Sequence, residues 1–294
     1  EVLELPLIDA ETIKKSGFKV VVDGVNSTGG IAIPKLLQEL GVEVVKLYCE
    51  PNGHFPHNPE PLAENLSEIS TQVVNNGSHL GLVVDPDVDR LAIVCEDGSM
   101  FGEEYTLVSV ADYILSKKKG STVSNLSSTR ALKDITEKYG CNYFPSAVGE
   151  VNVVECMKIN NSVIGGEGNG GVILPDLHYG RDALVGIALF LSLYAEKGLK
   201  ASVLRDSYPK YYMKKNKVEL DDENKIQNVF DYLLLEYDYA NINKIDGVKF
   251  DFETGWVHVR RSNTEPIIRI YSEFNNKADL EKFSKEFFTK INNF

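Results

Sequence analysis

Asp85, Asp87 and Asp89 alternate within the hexapeptide Asp85-Pro86-Asp87-Val88-Asp89-Arg90, directly after the apolar run 80–84. Aspartate is a poor strand former, and like charges repel, so such a run is stable mainly with something positive among the carboxylates. A hard, oxygen-loving divalent cation such as Mg²⁺ suits donors that are all carboxylate. Arg90 adds a guanidinium beside the last of them. In a regular strand the three carboxylates would share one face, but Pro86 interrupts the ladder, and a turn that gathers them is expected. Other readings are weighed against it. A solvated acidic turn seldom follows a buried strand so directly. An EF-hand loop would use Asp85, Asp87, Asp89 and Glu96 at positions 1, 3, 5 and 12. It fails because Arg90 stands where the turn needs glycine and the flanks read as strands. An aspartyl phosphatase would use Asp85 as nucleophile and Asp87 as acid/base, and would leave Asp89 and Arg90 without a task.

Three further stretches could carry chemistry. Gly165-Gly166-Glu167-Gly168-Asn169-Gly170-Gly171 holds five glycines in seven residues, which allows close backbone approach to a ligand. Glu167 and Asn169 are its only side chains able to read one, and a carboxylate with an amide suits sugar hydroxyls. The bland alternative is a flexible hairpin; a dinucleotide fingerprint is excluded by spacing. Arg260-Arg261-Ser262-Asn263-Thr264-Glu265-Pro266, with Arg269 beyond, offers guanidiniums, hydroxyls, an amide and turn N–H groups. That set makes an oxyanion cradle, with phosphate as the obvious guest, unless it is only a proline-stopped hairpin with solvated arginines. The segment 53–61 is an ordered proline-rich loop whose His54 and His57 read as packing groups rather than ligands. Tyr179-Gly180-Arg181-Asp182 reads as a loop ending in a helix N-cap aspartate.

The elements that must position these stretches fall into three units. Residues 18–23 predict a buried strand, 24–30 a loop, 31–40 a helix and 42–48 a second strand. A helix over 63–75 leads to a strand at 81–84, the Asp cluster, and a strand at 91–95. The second unit repeats this rhythm without repeating residue identities: a helix over 103–117, strands at 122–126 and 142–146, helices to Tyr139 and over 151–159, the glycine loop, and a long apolar helix over 182–197. Residues 200–215 read as a linker. The third unit combines strands at 217–220, 248–252, 256–260 and 267–272 with helices over 222–236 and 277–291. It predicts a smaller α+β domain with an antiparallel sheet. The expected boundaries are 1–99, 100–204 and 205–294.

Bulk properties narrow the partners. The chain has 294 residues and a net charge of −12, which disfavours nucleic acid and anionic membranes. Four cysteines without a C-x-x-C pair fit a reducing compartment and argue against a disulfide framework. No apolar stretch approaches a membrane span and no signal peptide is visible, so a cytoplasmic location is expected. Residue 1 is Glu, and a longer parent protein is expected.

Taken together, and in order, the loop at 55–61 (Phe-Pro…Pro-Glu-Pro), D-x-D-x-D-R at 85–90, the glycine loop at 165–171 and R-x-S-N-T-E-P at 260–266 resemble the α-D-phosphohexomutase family. That family includes phosphoglucomutase, phosphomannomutase and phosphoglucosamine mutase. The resemblance implies two similar three-layer α/β/α domains, the family's second and third, followed by a smaller α+β domain with a TATA-binding-protein-like fold. It implies that Asp85, Asp87 and Asp89 bind Mg²⁺ and that Arg90 lies against the transferring phosphoryl group. Glu167 and Asn169 would contact sugar hydroxyls, and Arg260, Ser262, Asn263 and Thr264 would hold the non-reacting phosphate, with Arg269 a weaker candidate. The implied reaction interconverts hexose 1-phosphate and hexose 6-phosphate through a phosphoserine enzyme and a hexose 1,6-bisphosphate. The family's serine lies in a first domain, in a Ser-His-Asn-Pro context; here His57-Asn58-Pro59 follows Pro56, so the nucleophile is expected outside these residues and the chain alone is expected to be inactive. Its rival is a non-catalytic Mg²⁺-dependent phosphosugar-binding module. Many bacterial members end the sugar loop in Ser-Gly-His, whereas this chain has Asn169-Gly170-Gly171, closer to the archaeal type.

Overall fold

The computed structural model describes residues 1–219, 223–262, 265 and 267–294. The chain divides into two compact units, one of Glu1–Pro145 with Gly149–Pro209, the other of Ser146–Val148 with Lys210–Phe294.

The first unit opens with α1 (Ala10–Ser16), whose N-cap Asp9 accepts from Thr12 N, and which ends at Gly17 in the left-handed region. Next come β1 (Lys19–Asp23), α2 (Gly29–Glu39), β2 (Glu43–Leu47), α3 (Ser67–Asn75), β3 (Leu80–Val84) and β4 (Leu91–Cys95). The strands align as β2-β1-β3-β4, the first three parallel and β4 antiparallel to β3. Every residue of β3 and β4 is buried, as expected for apolar strands covered on both faces.

After α4 (Glu103–Lys117) come β5 (Thr122–Asn125), α5 (Ala131–Lys138), β6 (Tyr143–Ser146), α6 (Glu150–Ile159), β7 (Ile164–Glu167), β8 (Gly171–Ile173) and α7 (Ala183–Lys197). This sheet has the order β6-β5-β7-β8, with β5 and β7 parallel and β8 antiparallel. The shared rhythm read from the sequence is thus a shared topology. Asp85–Arg90 and Gly168–Gly170 occupy equivalent places, each joining the third strand of its sheet to the antiparallel fourth. Helices α4 and α7 pack against strands of both sheets, so the expected division at 99/100 falls inside one compact unit.

The expected linker at 200–215 is not unstructured. It begins as α8 (Ala201–Asp206) and ends in the first part of β9 (Tyr212–Glu219). Tertiary contacts hold α8: Ser202 donates to the Glu96 carboxylate from N at 3.1 Å and from Oγ at 2.6 Å. The Arg205 guanidinium stacks 3.2 Å from the Tyr105 ring centroid and donates to Phe101 O.

The second unit contains β9, α9 (Glu223–Glu236), β10 (Asn241–Asn243), β11 (Val248–Asp251), β12 (Gly255–Arg261), β13 (Ile267–Phe274) and α10 (Lys277–Asn292). Its antiparallel sheet has the order β10-β11-β12-β13-β9. One sheet face and the two helices share a core of Val229, Leu233, Phe250, Val257, Ile268 and Phe287. Among the described residues, no helix is long and apolar enough to cross a membrane.

Candidate active site

β3 and β4 pair from Leu80↔Cys95 to Val84↔Leu91, so Asp85–Arg90 must reverse the chain tightly. Asp85 caps its own loop: the buried Oδ1 accepts from Asp89 N at 3.1 Å and Arg90 N at 3.0 Å. Val88 sits at φ +61°, a costly conformation for a β-branched residue. It is held there by its N–H, which donates to Asp85 O at 3.1 Å, and by its carbonyl, which accepts from Ala183 N at 3.0 Å. The hydroxyls of Ser27 and Thr28 both donate to Pro86 O at 2.8 Å.

This geometry brings carboxylate oxygens of Asp85, Asp87 and Asp89 within 4.8 Å of one another. Arg90 Nε lies 2.7 Å from Asp85 Oδ2 and 3.5 Å from Asp89 Oδ1, and its Nη1 lies 3.6 Å from Glu60 Oε1. The two Nε contacts are ion pairs off the N–H direction, and Asp85 Oδ2, Asp89 Oδ1 and Arg90 Nε are buried without an aligned hydrogen-bond partner. Burial, with Asp89 beside it, pushes the Asp85 carboxyl up to about 7, against the lowering effect of the Arg90 N–H. Ligand oxygens around a small hexacoordinate cation lie roughly 3–4 Å apart. Three gathered carboxylates, two of whose buried oxygens face only the Arg90 guanidinium, offer the all-oxygen donor set that suits a divalent ion of the Mg²⁺ type.

Glu167 closes β7 and is buried. Its Oε1 accepts from Asn125 Nδ2 at 2.7 Å and Gly149 N at 3.2 Å, and its Oε2 from Arg181 Nη1 at 2.7 Å. Asn169 is half-buried at the hairpin tip, where its Oδ1 accepts from Gly171 N at 3.1 Å. The stretch read as a loop is a β-hairpin, with strands at Ile164–Glu167 and Gly171–Ile173, and two of its glycines meet close neighbours. A Cβ on Gly166 would stand 2.0 Å from Gly171 O, and one on Gly168 would stand 1.9 Å from Glu104 Oε2.

The two hairpins touch. Leu91 N donates to Gly170 O at 3.1 Å. Arg181, just before the N-cap Asp182 of α7, joins them by its side chain: Nη2 pairs with Asp89 Oδ2, Nη1 with Glu167 Oε2 at 2.7 Å, and Nε with Glu150 Oε2 at 3.1 Å.

In the second unit, Arg260 is buried, and its Nε donates to Asp246 Oδ2 at 3.0 Å. Ser262 is buried, and its N–H donates to Ile267 O at 2.9 Å. Arg269 Nη2 pairs with Glu265 Oε2 at 2.7 Å. Asn263 and Thr264 lie outside the described residues. Strand register sets Arg260 opposite Arg269, and Arg269 opposite Lys217. Like charges directly opposite destabilise a sheet, and Asp246 and Glu265 offset two of the three cations in this row. His258, on the same face, donates from Nε2 to Asp246 O at 2.7 Å. Burial holds His258 down to about 4, an effect that Lys249 and Arg260 reinforce and the bond to the Asp246 carbonyl opposes.

The chain matches the phosphoglucomutase/phosphomannomutase α/β/α domain II over residues 2–98, α/β/α domain III over 102–212, and the family's C-terminal domain over 213–290. It belongs to the phosphoglucomutase/phosphomannomutase family. The phosphoglucomutase/phosphomannomutase of Thermococcus kodakarensis is 38% identical over 278 residues, covering 94% of this chain and 61% of that protein. A probable phosphoglucosamine mutase of Methanopyrus kandleri is 33% identical over 285 residues, covering 96% and 63%. The crystal structure of a phosphoglucomutase/phosphomannomutase family protein from Burkholderia thailandensis superimposes with a TM-score of 0.84 at 26% identity, covering 96% of this chain and 63% of that one. The chain thus spans about three fifths of the length of these phosphohexomutase relatives.

Within this chain, sequence reasoning located the Asp85–Arg90 loop and the Arg260 strand but missed four polar partners. Arg181 was read only as loop, Asn125 and Glu150 were not singled out, and Asp246 was passed over before Gly247. An arginine preceding an N-cap has no local signature. The one available hint was charge: a carboxylate in a glycine run, Glu167, needs a cation if it is buried. His57 Nε2 lies 3.0 Å from the buried Asp23 Oδ2.

Proposed function

We propose that this chain is the cation-, sugar- and phosphate-binding part of a phosphohexomutase that interconverts hexose 1-phosphate and hexose 6-phosphate. The observation that carries this reading is the gathering of Asp85, Asp87 and Asp89 oxygens within 4.8 Å beside Arg90. The domains are assigned as 1–99 for the cation, 100–204 for the sugar and 205–294 for the phosphate.

Asp85, Asp87 and Asp89 hold Mg²⁺, which, when bound, offsets charge on a transferring phosphoryl group. Arg90 lends its guanidinium to the same group. Glu167 and Asn169 read sugar hydroxyls. Arg260, Ser262, Asn263 and Thr264, with Arg269 and Lys217 along the same row, hold the phosphate that is not reacting. A 1,6-bisphosphate intermediate carries two phosphoryl groups, so one is held while the other reacts. The donor is a phosphoserine in a preceding first domain of the same polypeptide. The chain alone therefore binds phosphosugar without turning it over, in keeping with the binding-module reading. Asp85 makes a poor nucleophile for a phosphatase, because one of its oxygens caps the loop and the other faces Arg90. Four free cysteines suit a reducing, cytoplasmic setting.

Joining the chain to a phosphohexomutase first domain and comparing glucose, mannose and glucosamine 1- and 6-phosphates tests this function. Mg²⁺-dependent interconversion of at least one pair is expected. Failure of the joined, folded protein to interconvert any of them, or to bind Mn²⁺, would overturn it.

A further inference from the structure

Arg181 sits at the junction of two hairpins to which the preceding sections give different tasks. Its guanidinium meets three carboxylates: Asp89 of the cation loop, Glu167 of the sugar hairpin, and Glu150 at the start of α6. Its own N–H donates to Glu150 Oε1 at 3.2 Å. The two residues that follow pin the backbone to both hairpins: Asp182 N donates to Val172 O at 2.9 Å, and Ala183 N to Val88 O at 3.0 Å. A Cβ on Gly171 would fall 2.4 Å from Arg181 Cδ and 3.0 Å from its Cγ. The space beside the hairpin is filled by the arginine stem, and glycine at position 171 is what admits it.

Two of the three carboxylates that Arg181 joins carry a second duty. Asp89 is one of the three gathered carboxylates, and its Oδ2 is the oxygen Arg181 holds. Glu167 has Oε1 committed to Asn125 and Gly149, so Oε2, the oxygen on Arg181, is the one left to meet a sugar hydroxyl. A divalent ion drawn to Asp89 repels the adjacent guanidinium and competes for the same carboxylate. Loosening Arg181 from Asp89 changes its hold on Glu167 Oε2, and a ligand on Glu167 acts back on Asp89 by the same amount.

We propose that Arg181 is a positioning residue that couples occupancy of the cation site to sugar recognition by the Glu167 hairpin. It binds neither ligand. It is shared between the two carboxylates that do, so each ligand alters the other's affinity through it.

Resting on the function proposed above, the coupling is measured on the 294-residue chain by calorimetry. Mn²⁺ affinity is determined with and without the tightest-binding of glucose, mannose and glucosamine 6-phosphates, and the sugar phosphate's affinity with and without Mn²⁺. Wild type is expected to show reciprocal coupling of at least about fivefold. R181Q should bind each ligand separately yet show coupling within about twofold, and R181K, which keeps the charge without the fork, should recover part of it. G171A keeps the guanidinium but displaces its stem, so it should lower the coupling while melting cooperatively; it also serves if R181Q does not fold. Undiminished coupling in folded R181Q or G171A, or wild-type binding of both ligands without coupling, would overturn the role of Arg181. Absence of Mn²⁺ and sugar-phosphate binding in folded wild type would instead overturn the proposed function beneath it.

Discussion

Arg181 and Gly171 are matched across the hairpin of β7 and β8: the arginine Cδ lies 2.4 Å from where a Cβ at position 171 would stand. A side chain at 171 and the arginine stem cannot both occupy this space. The guanidinium that arrives beside Gly171 comes from the residue before α7 and is held by Asp89, Glu150 and Glu167.

Alanine substitutions in the hairpin should separate yielding from unyielding neighbours. At Gly166 a Cβ would meet the Gly171 carbonyl at 2.0 Å, whereas at Gly171 it meets the middle of a flexible side chain. G166A is expected to cost about 2–3 kcal/mol or more, the range for overpacking, and G171A clearly less. Urea denaturation with matched m-values measures both; equal costs would refute the distinction.

Removing one charge from the Asp triad should uncouple stability from cation binding. Asp85 Oδ1 caps the loop through the Asp89 and Arg90 N–H groups, and an Asn carbonyl can accept the same bonds. D85N should fold, lose at least about tenfold in Mn²⁺ affinity, and be no less stable than wild type without cation, since like-charge repulsion is relieved. Calorimetry with Mn²⁺ and thermal melting in chelator check the two halves.

Lys217 is exposed at the end of the cation row formed with Arg269 and Arg260. K217Q is expected to weaken hexose-phosphate binding by about three- to tenfold, as loss of a partly screened charge near an anion should, while leaving the melting temperature within about two degrees of wild type. Titration at two salt concentrations should show a shallower salt dependence in the variant.

Burial of His258 predicts a pH signature for the second unit. Its folded-state value is about 4 against an ordinary 6.5, so below 6.5 the unfolded chain binds the extra proton. Stability from this group is complete above about 6.5, is lost as pH falls through the window to about 4, and amounts to about 3 kcal/mol. Chemical denaturation of wild type and H258Q across that window isolates it: the wild type should lose about that much more than the variant.

Much of the fold was legible because it is written locally. The β-branched run of β1, the apolar run of β3, the Asp182 cap and the proline-rich loop announce themselves within a few residues. The Asp85–Arg90 loop was legible because three carboxylates after a buried strand need an explanation. What stayed hidden depends on pairing at long range. Gly165 and Gly166 have poor strand propensity and were read as loop; they are strand because they pair with Val123 and Ser124 on one side and Ile173 and Val172 on the other, at positions where a Cβ would collide with Met157 Sδ at 2.4 Å or with the Gly171 carbonyl. Helix α8 is short and unremarkable in sequence, and stands on Glu96, Phe101 and Tyr105. Arg181 gains its meaning only when the two sheets bring Asp89 and Glu167 to the same guanidinium.

The most direct test of the central claim is the rate of hexose 1-phosphate to hexose 6-phosphate conversion, with Mg²⁺ and hexose 1,6-bisphosphate, by the 294-residue chain alone and by the chain preceded by a phosphohexomutase first domain. The expected result is no turnover above background for the chain alone and metal-dependent turnover for the joined protein, abolished by D85N. Substantial turnover by the chain alone would contradict it, because the phosphoryl donor would then have to lie among these residues.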